Sequence, residues 1–402
     1  MSALKYWLWL SMAPGLSPRT CHALLDYYGS PEAMYFAPFG EMKRLAGNHA
    51  EGLDALEKRD LDSALRIIDA CNDQNITILT AQDAGYPDRL RSINLPPKVI
   101  YVKGKLPAVD DEPVIAIVGT RKASYYGLKM ARRFGYEISK CGGVVVSGLT
   151  AGIDANAAEG ALSAGGKVIG VLGVPHEQAR GHLCLDVLHS GGALVSEYPP
   201  GTPVYSSYFR ARNRISAGLS LGVVVVEAPE RSGARLFANE AADQGKELFV
   251  VPGDAGEDRC AGSNAILKEG AKPVTEGWDV MCEYASLYPE RVHRSTERFR
   301  PENFITPTNA KRNPPPETEK VSKKVIDNEN GKGYIDLKKR LEGLSEIQLK
   351  LISVIDRPSV QVDEIIEKSG YTAAKVLSEL TMLQIEGLVK QEPGKRFTLI
   401  IK

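Results

Sequence analysis

The sequence predicts an α/β protein in three parts: a helical N-terminal region, a doubly wound parallel-sheet core and a C-terminal winged helix. Three observations carry this. Between residues 110 and 289, short apolar runs alternate with helical stretches. Before that region, leucines recur at helix spacing between glycine and proline turns. After it, three helical stretches lead into two short strands around Pro393-Gly394, the order of a winged helix.

Residues 1–75 form the first part. Leu4, Leu8, Leu24, Leu25 and Leu45 recur with helical period, broken at Pro14-Gly15, Gly29-Ser30-Pro31 and Gly47-Asn48. Short helices around a glycine hairpin permit a helix-hairpin-helix, which offers backbone N–H groups to phosphate. A small helical cap is the stronger reading. The opening run MSALKYWLWLSMAPGL has only Lys5 ahead of its apolar stretch and is interrupted at Pro14. It reads as a buried helix, neither a leader nor a membrane span, and no other stretch is long and apolar enough to span.

Residues 76–109 read as a connecting segment. Pro96-Pro97 forbids a helix there, and Val99–Val102 reads as a short strand. In the 110–289 core the apolar runs are Val114–Val118, Val144–Val146, Val168–Leu172, Ala193–Val195, Val223–Val226 and Leu248–Val251. Continuous runs of this length suit strands buried on both faces of a parallel sheet. Tyr126–Lys140 and Ala155–Ala164 read as crossover helices. Residues 290–342, with Pro314-Pro315-Pro316 among polar residues, read as a flexible linker. In residues 343–402, Ile347–Ile355, Val362–Lys368 and Ala373–Gly387 read as helices, and Val389–Gln391 with Phe397–Ile401 as a hairpin.

Composition bounds the function. Lys plus Arg number 50 and Asp plus Glu 50, so no global basic field draws the chain to nucleic acid; any such site is a local patch. The six cysteines include no CxxC pair, which argues against a zinc ribbon and fits a reducing cytoplasm. His176, His182 and His189 read as loop or surface residues, not a metal site. No metal and no cofactor is expected.

The chemistry-bearing residues sit in turns that follow the apolar runs. Gly119-Thr120-Arg121 ends the first core strand ahead of a helix, where free N–H groups and the helix dipole favour an anion and Arg121 adds a donor fork. The glycine pattern of a dinucleotide fingerprint is absent. Ser147-Gly148-Leu149-Thr150-Ala151-Gly152-Ile153-Asp154 repeats the arrangement, with Asp154 placed as helix cap. Tyr208-Phe209-Arg210-Ala211-Arg212-Asn213-Arg214 lies in a stretch, Tyr198 to Val226, that contains no acidic residue. Phe209 beside Arg210, Arg212 and Arg214 combines a stacking ring with a charged track, as an unpaired strand requires. The bland reading buries Phe209 and pairs the arginines with Glu197 or Glu227. Glu230-Arg231-Ser232-Gly233 and Val251-Pro252-Gly253 with Gly262-Ser263-Asn264 supply two further turns. Five such turns on one sheet edge point to an extended anionic ligand. Catalytic patterns are poor: there is no GxSxG and no P-loop lysine, and Glu197 and Glu227 are the remaining acid–base candidates.

These residues resemble the DprA/Smf family of DNA-processing proteins. The resemblance covers almost the whole chain. It rests on Tyr86-Pro87, Pro96-Pro97, Gly119-Thr120-Arg121, Ser147-Gly148-Leu149 with Gly152-Ile153-Asp154, Ser196-Glu197-Tyr198-Pro199-Pro200-Gly201-Thr202, Phe209 with Arg212-Asn213-Arg214-Ile215, Glu230-Arg231-Ser232-Gly233 and Val251-Pro252-Gly253. It implies an extended Rossmann-like fold, an N-terminal sterile-alpha-motif-like (SAM-like) domain and a C-terminal winged helix. It also implies a non-enzymatic, homodimeric protein that binds single-stranded DNA, protects incoming strands and loads the RecA recombinase during natural transformation. The resemblance makes Arg121, Phe209, Arg212 and Arg214 the strongest DNA contacts; the turns themselves add Gly119, Thr120, Ser147, Gly148, Arg210, Asn213, Gly233 and Asn264. The chain departs from the family at Ala151, Ala158 and Ser206, where the family usually carries arginine, histidine and lysine; the two lost cations lower the expected affinity. The helix before the C-terminal hairpin is not basic, which favours a protein contact over groove reading. The competing reading is a phosphoribohydrolase-like enzyme on the same sheet edge. Pro252-Gly253-Asp254-Ala255-Gly256 lacks the second glycine and the threonine of that group.

Overall fold

A computed structural model describes residues 3–47, 51–179, 181–297, 299–300, 346–355, 360–385, 389–392 and 396–399. The chain forms two compact units, Met1–Ala310 and Lys311–Lys402.

The first unit opens with helices α1 (Leu4–Ser11), α2 (Pro18–Tyr28), α3 (Pro31–Phe36), α4 (Phe39–Ala46) and α5 (Asp62–Asp73). The apolar run at the start is a buried helix because both its faces find partners. Trp9 and Leu10 pack with Leu24, Met34, Met42, Leu53 and Leu56. Trp7 and Leu8 turn the other way, onto Ala64, Cys71, Ile76, Val99 and Tyr101. Ser17 and Ser30 cap α2 and α3, each accepting from a backbone N–H three residues on, at 3.1 Å. Of the turns read in the sequence, Asn48 lies outside the described residues.

A nine-stranded sheet follows. Its strands are β1 (Ile76–Thr80), β2 (Val99–Gly104), β3 (Val114–Val118), β4 (Val144–Ser147), β5 (Val168–Leu172), β6 (Ala193–Ser196), β7 (Gly222–Val225), β8 (Glu247–Val250) and β9 (Lys272–Pro273). The order across the sheet is β1-β2-β6-β5-β4-β3-β7-β8-β9. From β6 to β9 every neighbouring pair is parallel, whereas β2 joins β6, and β1 joins β2, antiparallel. The segment 76–109 is therefore more than a connection. Its strand β1 was not legible in the sequence, because five residues with partial burial carry no strong period, and their pairing partners, from Thr80↔Val99 to Ile76↔Lys103, lie across a long intervening segment.

Each core strand is buried on both faces, as its continuous apolar run requires. Val114, Ala116 and Val118 face one layer with Ile215, Leu219, Phe237 and Ile266. Ile115 and Ile117 face the other, with Phe134, Ile138, Ala157 and Ala161. The helices of that second layer are α7 (Tyr125–Lys140), α8 (Ile153–Ser163), α9 (His182–His189) and α14 (Gly277–Met281); those of the first are α6 (Asp88–Arg91), α11 (Asn213–Leu219), α12 (Gly233–Asp243) and α13 (Asp258–Lys268). A further helix, α10 (Ser206–Ala211), has no buried residue. Helices α7 and α8 approach backbone to backbone: a Cβ at Gly135 would collide with the Ala157 carbonyl, and one at Gly160 with the Arg132 carbonyl.

Two expectations change here. His176 is not a surface histidine: it is buried, and its Nε2–H donates to the Tyr101 carbonyl at 2.9 Å. The linker does not begin at residue 290. Val292 is buried against the second layer, and the His293 N–H donates to the Cys141 carbonyl at 3.2 Å. Most of the expected linker, with Pro314–Pro316, lies outside the described residues.

The second unit contains α15 (Glu346–Val354), α16 (Val362–Ser369), α17 (Ala373–Ile385) and a three-stranded sheet of β10 (Val360–Gln361), β11 (Val389–Glu392) and β12 (Arg396–Leu399), in the order β10-β12-β11. Leu351, Ile365, Val376, Leu380, Leu383 and Phe397 form its core. This is the winged helix the sequence predicts, with β10 added. The Pro393-Gly394 turn lies outside the described residues.

One polar contact ties α2 to the sheet edge. The Lys98 ammonium donates to His22 Nε2 at 2.7 Å, which requires a neutral imidazole, since an ammonium carries donors only. Burial and the Lys98 charge hold the His22 pKa below its ordinary value, with Asp26 opposing. The folded-state pKa is depressed, so the unfolded chain binds the extra proton, and stability falls as pH drops below about 6.5. Thermal melts between about pH 7.5 and about pH 5.5 should show a fall in Tm that is shallower in His22→Gln. Identical slopes in the two proteins would sink this assignment.

Candidate nucleic-acid interface

The chain runs from β3 outward through β4, β5 and β6, then returns to place β7 on the other side of β3. In open α/β sheets, ligands bind in the crevice outside the strand carboxyl ends at such a reversal. A cleft of about 520 Å³ lies there. It is built from the turn Gly119–Lys122 after β3, Ser147–Thr150 after β4, Ser232–Ala234 at the start of α12, and Ser206, Phe209, Arg210, Arg212, Asn213 and Ser216 from α10 and α11.

The first two turns touch because one residue has no side chain. Gly152 has φ +88°, and a Cβ there would collide with the Thr120 carbonyl; the Ile153 N–H donates to the same carbonyl at 3.2 Å. Leu149, at φ +52°, takes a left-handed conformation that disfavours a branched side chain. Its N–H donates to Ser147 Oγ at 3.1 Å, and its side chain fills the space over Gly170. Strain of this kind persists where the surroundings over-determine it, as at functional sites.

The sequence places an anion at the helix start after Gly119. The structure corrects this. The Glu227 carboxylate occupies that position, accepting from Ser124 N at 2.9 Å and Ser124 Oγ at 3.0 Å. A buried carboxylate at the start of α7 satisfies the helix dipole from inside the protein. The start of α12 is different. Gly233 is exposed, and open space surrounds the position a Cβ would take. This helix end faces the cleft.

The arginines divide. Arg212 is buried, at 9% exposure. Its guanidinium donates to the Gly148 carbonyl at 2.8 Å and the Val171 carbonyl at 2.6 Å, and lies 3.6 Å from Asp154. A side chain at Gly148 would collide with it. Burial raises the Asp154 carboxyl while Arg212 pulls it back, and the guanidinium stays protonated as guanidinium groups do in proteins. Asp154 is not the helix cap expected from sequence. The cap of α8 is Gly152, and the Asp154 carboxylate accepts from Thr150 Oγ1 at 2.9 Å. Arg214 points away from the cleft and pairs with Glu197 at 2.5 Å, as the bland reading holds. Arg121 and Arg210 remain exposed and line the cleft, and no carboxylate among the described residues pairs with either.

Gly119, Thr120, Arg121, Ser147, Gly148, Phe209, Arg210, Arg212, Asn213 and Gly233 are thus brought together. Asn264 is not among them. Its side chain holds the turn after β8, bonding Gly253 N at 3.3 Å and Gly253 O at 3.1 Å. Lys122 lines the cleft and was missed, although it directly follows Arg121 in a turn with no nearby carboxylate in sequence. Ser216 was also missed, because only the fold brings it to the same opening; Ser232 and Ser206 line it too, although in the sequence they stand out only within a turn and as a departure from the family. Neither Glu197 nor Glu227 lines the cleft: both are committed to Arg214 and to Ser124.

Fold and cleft together define a doubly wound α/β protein with a cationic cleft at the sheet's switch point and, as a separate unit, a winged helix. The family model described as DNA recombination-mediator protein A matches residues 77–285, and that of the DprA winged helix domain matches residues 337–395. The chain belongs to the DNA recombination-mediator protein A (DprA/Smf) family. It is similar to the DNA processing protein DprA of Bacillus subtilis, with 36% identity over 237 residues, 58% of this chain and 78% of that one. It is similar over 98% of both chains to the protein Smf of Synechocystis, at 27% identity. Among solved structures, DNA processing protein A from Streptococcus pneumoniae superposes with a TM-score of 0.59 and 30% identity, covering 69% of this chain and 97% of that one.

Arg212→Ala should destabilise the protein by about 3–5 kcal/mol in urea unfolding, because it leaves Asp154 buried without its partner. Exposed Arg210→Ala should stay within about 0.5 kcal/mol of wild type. Equally small effects in both would show that Arg212 does not hold the cleft together.

Proposed function

We propose that the chain binds single-stranded DNA in the cleft at the switch point. The observation that carries this reading is the set of cleft cations without carboxylate partners among the described residues: Arg121, Lys122 and Arg210. They stand beside the open start of α12 at Gly233, and only one carboxylate, the buried Asp154, shares the lining. Phosphates of a strand would meet Arg121, Lys122, Arg210 and the α12 amides. Arg212 acts from beneath by holding the Gly148 turn, and Arg214 by anchoring α11 to Glu197. A small cationic cleft in a neutral protein favours local capture of a backbone over long-range attraction. We read the protein as a binder and not an enzyme, because its acid–base candidates are occupied elsewhere in the fold.

Family membership extends the reading. We propose that the bound strand is handed to the RecA recombinase, that incoming strands are thereby protected, and that the protein acts as a homodimer. Purified protein should shorten the lag of recombinase assembly on single strands coated with single-strand-binding protein, and Arg121→Ala should abolish that effect. An unchanged lag with wild-type protein would remove the loading role.

Binding of a labelled oligo-dT, followed by anisotropy over a salt series, tests the site itself. Removing one cation that neutralises a phosphate lowers the log–log salt slope by about 0.7 on a single strand, so Arg121→Ala with Arg210→Ala should lower it by about 1.4. An unchanged slope and affinity in the double variant would overturn the site.

A further inference from the structure

Helix α10 contributes Ser206, Phe209 and Arg210 to the cleft, yet none of its residues is buried. A helix normally forms in a protein because one face is covered. Tyr208 of this helix meets two further rings, Tyr205 just before it and Tyr198 after β6, that the site described above does not use. Tyr198 and Tyr208 stack with centroids 3.8 Å apart and planes 13° from parallel. Tyr205 meets Tyr208 edge-on at 5.3 Å. Tyr205 is 55% exposed, beside Val204 at 44%.

This ladder is held from below. Tyr198 N donates to Ser196 Oγ at 3.0 Å. Pro199 and Thr202 close a turn through two bonds, at 3.2 Å and 2.7 Å, and Gly201 N donates to Glu177 Oε1 at 2.6 Å. On the cleft side, Phe209 packs on Gly173, where a Cβ would approach its ring to 2.9 Å. The rings are therefore preorganised, and a flat partner laid on them loses little entropy in ordering the protein. No acidic residue occurs from Tyr198 to Val226, and Arg210 stands on the same short helix.

We infer that Tyr205, backed by the Tyr208–Tyr198 stack, is a base-stacking step just outside the cleft, receiving an unpaired base of the strand whose phosphates lie on Arg210 and Arg121. The inference rests on the proposed function and deepens it: it names a second contact that reads the π-face of a base instead of the phosphate. Every base has such a face, so the step is indifferent to sequence. Proteins also place tyrosines at surfaces that bind other proteins. The strand is favoured because Tyr208 directly precedes Phe209 and Arg210, which line the cationic cleft, and Glu197 beside Tyr198 is neutralised by Arg214, although the Glu177 carboxylate lies under the Gly201 turn.

The experiment compares Tyr205→Ala, Tyr205→Phe and Arg121→Ala in the full chain, on oligo-dT and on the same oligonucleotide with single abasic sites moved along it. Tyr205→Ala should weaken binding to oligo-dT by about 5- to 150-fold, and Tyr205→Phe should retain it. At one abasic position, wild type should weaken as much as the alanine variant does, and Tyr205→Ala should weaken no further. If Tyr205→Ala weakens equally on every abasic oligonucleotide, or leaves oligo-dT binding unchanged while Arg121→Ala weakens it, the stacking step is wrong and the cleft reading stands. If Arg121→Ala is also without effect, the cleft reading fails as well. Unchanged Tm of the variants keeps the comparison free of folding effects.

Discussion

The Arg212 guanidinium is the group on which the cleft depends. It reaches from the junction of α10 and α11 under the turn after β4 and across to β5, taking the Gly148 and Val171 carbonyls and facing Asp154. A charge in that position has been removed from water, and its cost is offset by the two carbonyls on one terminal nitrogen and by Asp154 beside the other, while Nε is left without a partner among the described residues. Gly148 leaves the room, Asp154 supplies the counter-charge, and Thr150 steadies the carboxylate. The result is a rigid floor from which the exposed cations project.

The same logic governs the rest of the sheet edge. Glu227 fills the start of α7, so that helix end needs no outside anion. Glu197 holds Arg214, and Asn264 holds the turn at Gly253. Once these internal partners are made, Arg121, Lys122, Arg210 and the start of α12 are what the edge still offers to a ligand. Local excess of this kind is compatible with a chain whose charges cancel over its whole length. It makes attraction short-ranged, because surface charges beyond about 10 Å are screened at ordinary ionic strength.

Arg212 also shows why charge counting in sequence overstates a binding track. The stretch from Tyr208 to Arg214 reads as one cationic face, yet its three arginines take three different roles: Arg210 outward, Arg212 inward and Arg214 sideways to Glu197. Arg212 joins α10 to α11 with helical dihedrals, yet Arg210 lines the cleft and Arg214 pairs with Glu197, so four-residue spacing does not decide what each arginine meets. Such partners are invisible to spacing arguments, because Glu197 and the Gly148 and Val171 carbonyls come from other strands and turns.

The sequence by itself determined the layering. Strands buried on both faces must be continuously apolar, and Val114–Val118, Val168–Leu172 and their companions are short, rich in β-branched residues and bounded by turns, which selects strand over buried helix. It also marked the turns after β3 and β4 and at the start of α12, since a strand end followed by glycine and a helix start is a local signal, but the same signal at Val251-Pro252-Gly253 marks a turn that does not line the cleft. What only the tertiary structure decided is how far the sheet extends and which cations are free. β1 joins through antiparallel pairing across a long loop, and the fate of each arginine depends on carboxylates and carbonyls tens of residues away. Hydrogen-bond partners of buried charges are chosen by packing in three dimensions, and a one-dimensional pattern does not contain that choice.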